Sequence, residues 1–137
     1  MSAESREFEI HLIGGDDDER ARISCRSHGD ICRVSLVCRD QAITAERPNF
    51  FDAFCDVRQV LERVQLIPFC YGASLNVYLF NKFDTSRGMV AHRLTKGVKP
   101  SQKDLVQVFD EGPDVIPCPV SLQKEFFNDW LISVGAK

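Results

Sequence analysis

A chain of 137 residues, 44% hydrophobic and 27% charged, carries enough apolar material for one core without metal or disulfide staples. Its net charge of −3 argues against general nucleic-acid binding, which needs a basic face, and suits an acidic face that meets a basic partner. Residues 1–10 lack the apolar stretch of a secretory signal, and no apolar run approaches the ~20 residues of a membrane span. The expectation is one cytoplasmic domain over residues 1–137, away from membranes, with six reduced thiols.

Residues 7–13 alternate, with Phe8, Ile10 and Leu12 on one side and Glu7, Glu9 and His11 on the other. That period of two predicts a strand with one dry face. Gly-Gly-Asp-Asp-Asp-Glu then makes a polar turn. A second strand follows over 21–27, with Ala21, Ile23 and Cys25 inward and Arg22, Ser24 and Arg26 outward. His28-Gly29-Asp30 signals a turn. The third strand, 31–39, turns Cys32, Val34, Leu36 and Cys38 inward. Three strands with short polar turns read as an antiparallel meander, wet on one face and dry on the other.

Residues 49–65 give the strongest helical pattern. Asn49 is placed to cap it, with Asp52 three residues later near the positive end of the dipole. Phe50, Phe54, Val57, Leu61 and Val64 form an apolar stripe for the dry face of the meander. Residues 66–80 hold two short strand-like runs broken at Gly72, where a bulge or a close backbone approach is expected. A polar loop leads to a strand over 89–95. Ser101 with Asp104 resembles a capping box, and Leu105, Val108 and Phe109 then predict a short helix ended by Gly112-Pro113. A last helix spans 121–132, its buried side being Phe126, Phe127, Trp130 and Leu131. The order predicts an α+β fold: a mostly antiparallel sheet with a long central helix and a C-terminal helix packed on one face.

Little in the chain looks like chemistry. The cysteines at 25, 32, 38, 55, 70 and 118 form no CxxC pair, and no His sits at ligand spacing from them, so the expectation is buried structural thiols, no metal and no cofactor. Cys70 and His92, with Asn76 or Asp84 as orienting group, can be written as a nucleophile and its base. No basic residue flanks Cys70 to stabilise a thiolate, so a small enzyme built on this pair is the alternative rather than the main reading. No phosphate loop or hydrolase motif is present.

Two acidic groups stand out instead. Asp16, Asp17, Asp18 and Glu19 lack the alternating spacing of a calcium loop and read as a solvated turn or a contact for a basic partner. Asp110, Glu111 and Asp114 sit where a helix is expected to end, and acids there oppose the helix dipole. Two acidic turns without a structural task point to partner binding.

The segments LIPFCYGASLNVYLFNKFDTSRGMVAHRL, LVQVFDEGPDV and FFNDWL, within residues 66–133, resemble small immunity proteins encoded beside bacterial polymorphic toxins, in Rhs, contact-dependent inhibition and type VI secretion loci. The resemblance implies a small non-enzymatic inhibitor that binds a cognate toxin domain, a nuclease among the candidates, and occludes its active site. Nucleic-acid-cutting toxins are basic, which the two acidic groups would suit. Asp16, Asp17, Asp18, Glu19, Asp110, Glu111 and Asp114 are therefore the expected contact residues, with no catalytic residue. An adaptor subunit of a larger assembly is a further alternative.

Overall fold

The computed structural model describes residues 5–15, 19–80 and 86–135. It is an α+β fold with two antiparallel sheets and two helices. β1 (Ser5–Ile13), β2 (Arg20–His28) and β3 (Ile31–Cys38) form the expected meander. Of their inward row, Ile10, Ile23, Cys32, Val34 and Leu36 are fully buried, and Phe8 is partly buried.

β4 (Gln41–Arg47) extends that meander and was not foreseen. A two-residue turn at Arg39-Asp40 enters it, both residues having positive φ (51° and 59°), as tight hairpins require. Only Ile43 and Ala45 of β4 pack towards the core, so the strand carries little apolar signal. The sheet order is β4-β3-β2-β1-β5, with β5 (Ile67–Phe69) pairing the end of β1.

Helix α1 (Phe50–Glu62) covers the inner face of this sheet. Asn49 caps it as expected: its Oδ1 accepts from the Asp52 amide at 2.7 Å, and its Nδ2 donates to the Asp52 carboxylate at 2.9 Å. Phe51, Phe54, Val57 and Leu61 are buried, each contributing about 1.5–3 kcal/mol relative to exposure. Val64 falls beyond the helix and is exposed.

The two runs around Gly72 belong to different sheets. After β5 the chain makes a single 3₁₀ turn at Tyr71–Ala73 and enters β6 (Val77–Tyr78), which pairs β7 (Val90–Arg93). Gly72 thus marks a close approach rather than a strand bulge: a Cβ there would lie 2.5 Å from Val108 Cγ1 and 3.1 Å from the Phe54 ring.

The helix expected after Ser101 is not formed. Its capping box is real, the Ser101 amide donating to Asp104 Oδ2 at 2.9 Å, but it caps one 3₁₀ turn, Gln102–Asp104. The chain then extends into β8 (Leu105–Gln107), the third strand of the β6-β7-β8 sheet. Val106 and Val108 are buried and Leu105 is exposed, which is strand alternation. The open edge of β7 takes those backbone groups, and this outweighs the local helical spacing. Residues beyond β8 join the two sheets, Phe109 stacking on Phe8 at 5.0 Å and meeting Phe54 edge-on at 4.8 Å.

Helix α2 (Val120–Ser133) packs on β6 of the second sheet, Phe127 stacking on Tyr78 at 4.1 Å. Trp130 is fully buried, its indole donating to the Val98 carbonyl at 3.1 Å. Phe126, Phe127 and Leu131 are only partly covered, whereas Gln123 is fully buried. Among the described residues no helix is long and apolar enough to cross a membrane.

Candidate functional site

The segment that follows β8 carries the second acidic group across the end of the first sheet. The Tyr71 amide donates to the Asp110 carbonyl at 2.9 Å, pinning the turn to the 3₁₀ segment. Glu111 reaches β1, where His11 Nδ1 lies 2.7 Å from its Oε2 and the His11 amide donates to the same oxygen at 3.3 Å. The His11 bond holds the Glu111 carboxyl below its ordinary value. Asp114 accepts from the Tyr71 hydroxyl at 2.6 Å and pairs with Arg93 Nε at 2.7 Å; the Tyr71 bond, then Arg93, holds its carboxyl low.

Glu19 is equally engaged. Arg39 grips it in a two-pronged pair, Nε to Oε2 at 2.6 Å and Nη2 to Oε1 at 2.9 Å, and this holds the carboxyl below its ordinary value. Asp16, Asp17 and Asp18 lie outside the described residues. So the premise of acids without a structural task holds, among the described ones, for the Asp110 carboxylate alone. Glu19 and Glu111 do lie towards one end of the first sheet: His11, which holds Glu111, is the register partner of Arg20, the residue after Glu19.

The outer face of the first sheet is basic rather than acidic along β2. Arg20, Arg22 and Arg26 project from it, and Arg26 stands directly opposite Arg33 of β3. Arg33 is matched by Glu46, Nε to Oε2 at 2.7 Å, while Arg26 makes no ion pair among the described residues. Like charges directly opposite on a sheet are unfavourable.

Cys70 and His92 are not brought into a pair. Cys70 is fully buried in the core between β5 and the 3₁₀ turn, and burial pushes its thiol up to about 12, the reverse of a poised thiolate. His92 lies on β7 against the edge of Phe80, ring centroids 5.7 Å apart. No hydrogen bond joins the two among the described residues, and Asn76 instead accepts from the Ser74 hydroxyl at 3.0 Å. Asp84 lies outside the described residues. All six cysteines are free thiols, five of them buried, as expected of structural cysteines.

The polar centre of the molecule went unread in the sequence. Arg58 of α1 and Gln123 of α2 are both buried, and Arg58 Nη1 donates to Gln123 Oε1 at 2.6 Å. Arg58 also donates to the carbonyls of Gly72 (3.0 Å) and Cys118 (2.9 Å). The Gln123 amide nitrogen lies within 3.0 Å of the carbonyls of Gly72, Ser74 and Val77. These bonds satisfy a stretch of irregular backbone that would otherwise be buried without partners. The signal was present in the spacing: Phe54, Arg58 and Leu61 share one face of α1, and Gln123, Phe127 and Trp130 share one face of α2.

No protein-family model matches the chain, and no curated protein matches it.

Proposed function

We propose that this chain is a non-enzymatic inhibitor that binds a cognate bacterial toxin domain and occludes its active site. The observation that carries the reading is the acidic turn at residues 110–114. Its backbone and two of its carboxylates are fixed to three other elements, yet Asp110 stays exposed and the Glu111 and Asp114 side chains remain 36% and 45% exposed. Carboxylates held in place before a partner arrives lose little freedom on binding and steer a basic partner into register. A toxin that cleaves nucleic acid presents such a basic surface where its substrate binds.

The test is co-expression with the C-terminal domain encoded by the neighbouring gene. The reading expects that domain to arrest growth, this chain to restore it, and the two to co-purify as an equimolar complex. Asp110→Lys, which removes no side-chain hydrogen bond or ion pair among the described residues, should slow association about tenfold or more with little change in dissociation. Toxicity without rescue, or no toxicity, sinks the proposal.

A further inference from the structure

A separate cleft of about 270 Å³ opens between the end of β2, the start of α1 and the β7–β8 edge. It shares no residue with the acidic turns. Arg6 and Arg87 both line it, with Ser27 and Gln107, and among the described residues no Asp or Glu does. Neither arginine makes an ion pair among the described residues. The Arg6 guanidinium rests over the Phe8 ring at 5.2 Å. Arg87 is held by its backbone, in the left-handed region at φ 56°, with its carbonyl accepting from the Phe50 amide at 2.7 Å. A bulky residue in that region is strained and persists only where its surroundings hold it.

Two guanidinium groups on one cleft repel each other unless an anion lies between them. The same arrangement focuses positive potential, and each guanidinium offers a fork of donors that matches an oxyanion. Phe50 and Met89 supply apolar wall. The volume is small for a drug-sized ligand and suits a molecule of few heavy atoms. We propose that this cleft binds a small organic oxyanion, a carboxylate or phosphate with a short apolar body, between Arg6 and Arg87.

The test titrates the folded protein with butyrate, with inorganic phosphate and with phenyl phosphate, each against potassium chloride at matched ionic strength. Amide chemical shifts and melting temperature are followed. The proposal expects saturable shifts confined to the amides around Ser27, Phe50 and Met89, and a raised melting temperature, for at least one of the three probes. Which probe saturates separates carboxylate from phosphate, and inorganic from phenyl phosphate shows whether the apolar wall contributes. Arg6→Gln, and Arg87→Asn, which tolerates the left-handed backbone, should each weaken binding about tenfold, as loss of one charge-assisted bond would. Arg22→Gln, on the outer face, should leave it unchanged. No saturation with any probe overturns the proposal, as does equal weakening by all three variants. Unchanged affinity when Arg6 and Arg87 are both replaced also overturns it.

Discussion

Arg58 and Gln123, 65 residues apart in sequence, meet in the interior at 2.6 Å with no carboxylate in the bond set. The positive charge is balanced by oriented carbonyl dipoles from Gly72 and Cys118 and by the Gln123 side-chain oxygen. Arg58→Met keeps much of the packing but removes every donor. It should cost about 3–5 kcal/mol in urea unfolding, because several buried acceptors lose their partners at once. Gln123→Leu should cost a similar amount, and the double variant should cost much less than the sum of the two. Additive losses would show that the two side chains act independently.

Gly72 is required by space rather than by backbone conformation. Gly72→Ala would drive a methyl group against Val108 and Phe54, at a cost of about 1–3 kcal/mol. Val108→Ala opens that space, so the double variant should recover part of the loss when both are unfolded in denaturant. A full sum of the two single losses would place the strain elsewhere.

The thiols should be silent in the native state. Burial raises Cys70 and Cys25 to about 12 and Cys55 to about 11, so none carries appreciable thiolate near neutral pH. A maleimide should leave Cys70 unlabelled in the folded protein and label it on unfolding, read by mass spectrometry of its peptide. Rapid native labelling of Cys70 would return the Cys70–His92 enzyme to consideration.

Acid should loosen the turn at residues 110–114. Glu111 and Asp114 have folded values below their ordinary 4.5 and 3.8, so the unfolded chain takes up protons first as pH falls. Their contribution is therefore complete above those ordinary values and is lost as pH drops through the depressed native ones. Both side chains are more than one-third exposed, so solvent screening keeps the effect small and salt-sensitive. Glu111→Gln with Asp114→Asn should flatten the acid limb of the stability curve below pH 4.5. An acid limb identical to that of the unmodified chain would show that these pairs contribute nothing to folding.

Local pattern alone determined the meander, the Asn49 cap and α1, the C-terminal helix and the inward cysteines, because each is written in a period of two or 3.6 within a few residues. β4 escaped because this edge strand only half-buries Ile43 and Ala45, too few apolar positions for an alternation to be read. β8 was misread because Leu105, Val108 and Phe109 also fit a helix, and only the unpaired edge of β7 selects the strand. Of the acidic candidates, the sequence located Glu19, Glu111 and Asp114 but had no means of naming Arg39, His11, Tyr71 and Arg93 as their partners. The spacing sets Arg58 and Gln123 on faces with apolar residues, but their burial was decided by tertiary structure. A polar side chain enters the core only where other segments deliver the carbonyls it needs: for Gln123 these are Ser74 and Val77, 49 and 46 residues away, and for Arg58 they are Gly72 and Cys118, 14 and 60 residues away.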